Sequence, residues 1–349
     1  MDKVGARVKD ALLASLADST RDAQRVAMRL WVKFCFIVMG VSPVRGSAAN
    51  GVHQTAEECL HDEWLLMYFA VMTAAQTSPG TAATYVSHVK TWHQLYRGID
   101  LGPLAGCLRL SRCIAGLRKL SKHAPKHHKL PILLSHLERW ERVLRPGSHD
   151  DRAFKAAAYA ALQGLLRVSE YTVKSGDWDP ARHLSRADLV FSPSIENPSY
   201  AALNIGPTKN DPLGEDRCPV LFAFDATAPI NACSALRDMV LADPVPIAHL
   251  HSTPLFRWRD GSAMRAAQMV RCVQRCMKAI GECPLRYASH SLRIGGATSL
   301  ADAGCPDVVI QTIGRWKSNC YRIYCRAAQG SVLHWCRTLG THHVQPVHL

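Results

Sequence analysis

Apolar positions recur at helical spacing through most of this chain. Ser19-Thr20-Arg21-Asp22 reads as a helix start with an acid in its first turn. Val26, Leu30, Phe34 and Val38 follow four apart, with Ala27 and Trp31 beside them, and predict one amphipathic helix ending near Gly40 and Pro43. Thr55 and Glu58 form a capping-box signal for a second helix reaching about Ala75, whose run from Trp64 to Ala75 reads as buried. A third helix is expected over about 81–97, with Tyr85, Val89, Trp92 and Tyr96 on one face and Gly98 closing it. A fourth is expected over about 105–121. From Pro131 the pattern predicts a helix ending at Pro146-Gly147, then another over about 150–166. Three short strand-like stretches follow at 183–192, 200–212 and 217–224, with Asn210-Asp211-Pro212 as a turn. Helices dominate afterwards: about 231–243, 262–280, 290–303, 306–314, 317–326 and 331–338.

This pattern gives a mainly α chain in two parts. An N-terminal helical bundle occupies 1–122, a basic linker 123–130, and a mostly helical domain with one small antiparallel β-sheet 131–349. The length of 349 residues suits two domains, and an apolar content of 48% supports a sizeable core. No apolar run reaches the roughly 18 residues of a membrane span, and the N-terminus lacks a signal-peptide pattern. A soluble, intracellular chain is expected, in the nucleus if the host is eukaryotic. Thirteen cysteines raise a metal or disulfide reading, but there is no CxxC pair and nothing completes a zinc-finger spacing around Cys272, Cys276 and Cys283. Free, mostly buried thiols are expected, and no metal.

The formal net charge of +14 changes the picture towards a polyanionic partner. Its densest stretch holds Arg109, Arg112, Arg118, Lys119, Lys122, Lys126 and Lys129, with three interleaved histidines and no acid. A solvated helix end running into a linker is the ordinary reading of such a run. The absence of counter-charge across an interdomain joint favours contact with a phosphate backbone.

Candidate chemistry lies after residue 130. His290 and Arg293 stand three apart in HSLR, on one helix face, where they can hold an anion and manage a proton. Cutting and rejoining a phosphodiester without metal calls for guanidinium groups against the non-bridging oxygens. It also calls for a protein nucleophile that saves the bond energy in a covalent intermediate, and for a proton donor to the leaving oxygen. Arg167, Lys209, His290, Arg293, Arg315 and Tyr324 supply those types. Each also has an ordinary role open to it. Arg167 could face a helix C-terminus, Lys209 could be a turn lysine, His290 a cap, and Tyr324 a core aromatic with Tyr321 as its rival.

The order of these residues resembles the catalytic domain of the tyrosine recombinases, the phage-integrase family. GLLRVSEY (164–171) resembles the first arginine box with its acid, Glu170, three residues on. NIGPTKNDP (204–212) resembles the strand and turn carrying the catalytic lysine. SHSLRIGGATSLADAG (289–304) resembles the second box, and VIQTIGRWKSNCYRIYCR (309–326) the last. TYVSHVKTWHQLYRG (84–98) resembles part of the core-binding domain. HSLRIGGAT and GRWKS are similar to the versions in eukaryotic retroelement and Crypton-type elements. One slot departs from the pattern: the residue after Gly314, usually His and sometimes Trp, is Arg315, with Trp316 next. The nine residues from Arg315 to Tyr324 favour Arg315 in the slot and Tyr324 as nucleophile; packing of Trp316 into the slot is the second reading.

The resemblance implies a SAM-like helical core-binding domain and a DNA breaking–rejoining catalytic domain closing as a clamp round double-stranded DNA. Tyr324 would form a 3′-phosphotyrosyl bond. Arg167, Arg293 and Arg315 would stabilise the transition state, Lys209 would protonate the leaving oxygen, His290 would assist, and Glu170 would brace the first arginine. It implies site-specific recombination or integration of a mobile element by a homo-tetramer on two sites, from a monomer or dimer in solution, with no metal or other cofactor. Arg286, Arg322 and Arg326 would meet DNA backbone, and 331–339 would either pack internally or dock on a neighbouring protomer. A type IB topoisomerase, a catalytically silent DNA-binding protein and a zinc-stabilised binding module are the alternatives.

Overall fold

The computed structural model describes residues 7–45, 55–102, 107–121, 129–206, 219–316 and 319–323, apart from positions 9, 13, 17 and 175. The chain divides into two compact units, Met1–Lys126 and His127–Leu349.

The described residues of the first unit include the helices α1 (Asp18–Lys33), α2 (Ala56–Gln76), α3 (Pro79–Arg97) and α4 (Leu108–Leu120). α1 runs on as a π-helical turn over Phe34–Met39 and stops at Gly40, whose φ of 64° is open to a residue without Cβ. Thr55 and Glu58 form the expected capping box of α2, Ser78 caps α3 with Pro79 in its first turn, and Gly98 ends α3. The core holds Trp31, Phe34, Leu65, Phe69, Val86 and Val89, with Trp31 edge-on to Phe69 at 5.3 Å.

Three expectations about faces need correction. Val26, Leu30 and Val38 are exposed, and the buried stripe of α1 is Gln24, Ala27, Trp31 and Phe34. At roughly 100° per residue, each step of four drifts about 40° round the helix, so the row winds about 120° from Val26 to Val38 and only Phe34 falls within the buried stripe. On α3 the buried row is Ala82, Val86, Val89 and His93, while Tyr96 is exposed. α2 is buried on one side only: Leu65, Leu66, Phe69 and Ala70 face the core, while Trp64, Tyr68, Val71 and Met72 are exposed. Apolar residues on both faces had erased the periodicity that distinguishes them.

The second unit centres on α6 (His149–Gln163), preceded by the short α5 (Leu134–Trp140). Ala156, Ala157, Ala158, Ala160 and Ala161 are fully buried along α6. Their small side chains let α8 (Ala232–Ala242) and α10 (His290–Asp302) both pack closely against it. The four-residue α7 (Val168–Tyr171) follows α6. Strands β1 (Leu189–Ser192), β2 (Tyr200–Leu203) and β3 (Val220–Ala223) form an antiparallel sheet in that order, with Val190 opposite Ala202 and Ala202 opposite Leu221. α9 (Ala266–Ala279) and α11 (Asp307–Gly314) complete the α-helices among the described residues, and one of the 3-10 turns covers Asn319–Ile323.

The helix expected from Pro131 starts only at Leu134. Before it the chain is extended, because the Leu130 and Ile132 N–H groups donate to the carbonyls of Arg286 (2.8 Å) and Ser291 (2.9 Å). This tie explains Gly295: a Cβ there would lie 1.7 Å from the Ile132 carbonyl oxygen. Gly296 is equally constrained, with the Leu162 carbonyl oxygen 2.1 Å from its Cβ position. The two glycines bring the backbone of α10 against the 132 segment on one side and α6 on the other.

Candidate active site

The site forms where three chain segments meet at a tight reversal. α6 ends at Gly164-Leu165, with Leu165 at φ 47°, a left-handed conformation unusual for a non-glycine residue. Gly164 is required by crowding, since a Cβ would sit 2.8 Å from Val220 of β3. The reversal delivers Arg167 as the N-cap of α7. Glu170, whose side chain is 4% exposed, accepts the Arg167 backbone N–H at 2.7 Å and its Nη1 at 2.8 Å. The guanidinium of Arg167 also donates through Nη2 to the Arg315 carbonyl at 3.3 Å, and its side chain is 26% exposed.

α10 supplies the second segment. His290 opens the helix on its exposed side, and Arg293 lies one turn further in, only 1% exposed. Arg293 Nη2 donates to the Gly314 carbonyl at 2.7 Å, and Nη1 donates to the Leu165 carbonyl. The Trp316 ring lies over its guanidinium, 4.3 Å from Cζ to the ring centroid. The expected pair therefore shares a helix end, but with opposite exposure.

The end of α11 is the third segment. Arg315 caps it at φ 54°, in the left-handed region, and turns its side chain inward. Nη2 donates to Glu170 at 2.7 Å and to the Leu165 carbonyl at 3.4 Å. Nη1 donates to the carbonyls of Gly164 (3.2 Å) and Ile313 (2.9 Å). Burial holds the Arg315 pKa below its ordinary value, with Glu170 opposing that shift, and the group remains a cation. Trp316 packs with Leu165, Ala297, Ile310 and Tyr321, and its ring fills the space beside Gly314 where a Cβ would otherwise stand. Arg315 and Trp316 thus divide the departing slot: the arginine faces Glu170 and the tryptophan faces Arg293.

Arg167, Glu170, Arg293, Arg315 and Trp316 are therefore brought together, with His290 at the start of the same helix as Arg293. Lys209 lies outside the described residues, on the connection from β2 to β3, and so do Tyr324, Arg326 and the segment 331–339. Tyr321 is 1% exposed in the Trp316 cluster, and its hydroxyl receives Arg322 Nε at 3.3 Å. Arg322 also pairs with Asp307 at 3.6 Å, and Arg286 is exposed. Among the described residues no three His, Cys, Asp or Glu side chains are grouped to hold a metal. No helix among them is long and apolar enough to cross a membrane.

Of the basic run, Arg109, Arg112, Arg118 and Lys119 are exposed on α4, while Lys122 and Lys126 lie outside the described residues. Arg109 has a counter-charge that local sequence hid: its Nε donates to the buried Glu63 of α2 at 3.0 Å. Glu63 also accepts the Leu110 N–H at 3.1 Å, so this acid anchors the start of α4. Lys129 reaches the Leu285 carbonyl at 2.6 Å. A second cationic feature was missed. Arg21, Arg25, Arg29 and Lys33 follow at intervals of four on α1 and border a groove with Trp92 and Tyr96 of α3. Its signal was present in the spacing of four basic residues, overshadowed by the apolar row beside it. Asp22 engages Arg25 at 2.9 Å.

No protein-family model and no curated protein matches the sequence. Solved structures do match. The chain is similar to the Tn1549 transposon integrase in complex with a circular intermediate DNA, with a TM-score of 0.55 and 16% identity over 95% of this chain and 98% of that one. It is also similar to the XerH site-specific recombinase bound to a palindromic difH substrate in a post-cleavage complex, with a TM-score of 0.53 and 15% identity over 89% of this chain and 76% of that one. With its helical first unit and its mainly helical second unit carrying a three-stranded antiparallel sheet, the chain has the tyrosine-recombinase fold.

Proposed function

We propose that this chain cleaves and rejoins double-stranded DNA through a 3′-phosphotyrosyl intermediate on Tyr324, in site-specific recombination or integration of a mobile element. The observation that carries this reading is the convergence of Arg167, Arg293 and Arg315 on the 164–165 reversal, with Glu170 between two of them. Three cations collected from segments far apart in sequence suit a site for a phosphodiester in its charge-rich transition state. The likeness to recombinase folds bound to DNA supports the same reading.

In this mechanism Tyr324 attacks the scissile phosphorus, and the bond to the 5′-oxygen breaks. Lys209 gives the leaving oxygen its proton and His290 assists as donor or acid/base. The linkage is returned when a 5′-hydroxyl, losing its proton, attacks the phosphotyrosine; the bond from phosphorus to the Tyr324 oxygen breaks and the phenol is restored. Burial of Tyr321 in the core supports Tyr324 as the nucleophile. Assembly as a homo-tetramer on two DNA sites, from a monomer or dimer in solution, completes the proposal for strand exchange. DNA-associated action in the nucleus of a eukaryotic host belongs to the same reading.

Covalent trapping tests it. Wild-type protein incubated with nicked suicide duplexes is expected to give an adduct on a denaturing gel. Tyr324→Phe should abolish it and Tyr321→Phe should leave the adduct chemistry in place wherever the variant folds. An adduct formed by Tyr324→Phe but not by folded Tyr321→Phe would assign the nucleophile to Tyr321. A catalytically silent DNA-binding protein is the second reading, favoured by the enclosure of Arg293 beneath Trp316. That reading expects DNA binding with no adduct on any duplex.

A further inference from the structure

We propose that Arg315 is a positioning residue that acts through Glu170 on Arg167, and is not itself a ligand of the scissile phosphate. The inference rests on the function proposed above and changes the role of one residue within it. A guanidinium has five N–H donors. Four of those of Arg315 are matched to protein acceptors: Nη1 to the carbonyls of Gly164 and Ile313, Nη2 to the Leu165 carbonyl and Glu170. The fifth, on Nε, is buried and has no partner among the described residues. No outward-facing donor is left for a phosphate in this arrangement.

What Arg315 does instead is close a circuit. Its guanidinium takes one oxygen of Glu170, and Arg167 Nη1 takes the other. Its own carbonyl accepts Arg167 Nη2, so both ends of the residue bear on the first arginine. It also ties down both carbonyls of the left-handed reversal from which Arg167 emerges. Arg167 is the more exposed of the two arginines, at 26% of its side chain against 22%, and only part of its donor set is used within the circuit. A histidine or tryptophan in the slot could not reach four acceptors at once; the fork of an arginine can. Trp316, stacked on Arg293, then supplies the aromatic wall.

A double-mutant cycle separates this from direct phosphate contact. Single-turnover adduct formation on a suicide duplex is measured for wild type, Arg315→Gln, Glu170→Gln and the double variant, with duplex affinity and thermal unfolding recorded for each. A displaced catalytic group loses on the order of 100-fold in rate, and a loss of that size is expected from each single change. The double variant should fall only about 3-fold further, because residues acting as a unit are not additive. Duplex affinity should stay within about 3-fold, since the circuit acts on cleavage rather than on the many backbone contacts. Losses that multiply in the double variant would overturn the inference while leaving the proposed function standing. Arg315→Lys provides a second arm if Arg315→Gln unfolds. Lysine keeps the point charge but cannot span the four acceptors, so its cleavage loss should match that of a broken circuit. Cleavage at near wild-type rate by Arg315→Lys would also overturn the inference. Absence of an adduct from wild type would overturn the proposed function and this role with it.

Discussion

At the residue scale, the second box shows how a short motif encodes backbone proximity as well as chemistry. Gly295 and Gly296 follow Arg293 directly, and each faces a carbonyl oxygen at a distance no Cβ can tolerate. Gly295→Ala is therefore expected to destabilise the fold by about 1–3 kcal/mol or more, because the obstacle is backbone and cannot rotate away. Gly116→Ala, inside α4 with open space around its Cβ position, should instead stabilise by about 0.4–1 kcal/mol. Urea unfolding of the two variants checks the contrast, and an unaffected Gly295→Ala would contradict the close approach described for α10. The pairing of glycines with Arg293 was legible as a motif, but the reason for them was not. Their neighbours, Ile132 and Leu162, are distant in sequence and act through main-chain atoms that no side-chain pattern announces. The same limit applied at Arg315. Spacing placed it in the slot, yet the direction of its side chain depended on Glu170 and on carbonyls 150 residues upstream.

At the scale of elements, the helix starts and stops with local chemical causes were the most legible. Thr55 with Glu58, Gly40 and Gly98 were all read from their own neighbourhoods. Faces were harder, because α1 and α2 expose apolar side chains beside the ones they bury. Ion pairs between elements were not legible at all. Asp243, at the end of α8, accepts Arg257 through both oxygens (Nη2 at 2.6 Å, Nε at 2.8 Å) and the buried Arg186 before β1 at 2.6 Å, with His149 of α6 at 3.4 Å. The hydrogen bonds from Arg257, then the charge of Arg186, lower the Asp243 carboxyl to about 2. An unfolded aspartate titrates near ~3.9. The stabilisation is therefore present in full above about pH 4 and is lost as pH falls through about 2. Asp243→Asn should be less stable than wild type at pH 7, with the difference shrinking between about pH 4 and 2. Chemical unfolding across that range measures it; a difference independent of pH would mean that the carboxylate charge is not what holds these elements.

At the scale of the whole molecule, the excess of positive charge was the clearest statement in the sequence, but its distribution was only partly readable. The acid-free run from Arg109 to Lys129 drew attention to α4, where Arg109 proved to be engaged by Glu63. The regular row on α1, Arg21 to Lys33, spans roughly 18 Å of helix and borders Trp92 and Tyr96. Several successive phosphates of one strand would fit along that length. On the proposed grip of duplex DNA, each phosphate contact removed should lower the slope of log affinity against log salt by about 0.9. Replacing Arg29 and Lys33 together with alanine is expected to weaken binding uniformly across DNA sequences and to reduce the slope by nearly twice that amount. The matching change of Arg112 and Lys119 on α4 tests the stretch that the sequence favoured. Fluorescence anisotropy over a range of salt concentrations would compare the two surfaces. If the α4 change lowers the slope and the α1 change does not, the row on α1 is a solvated helix face and the acid-free run is the phosphate-binding surface of the first unit.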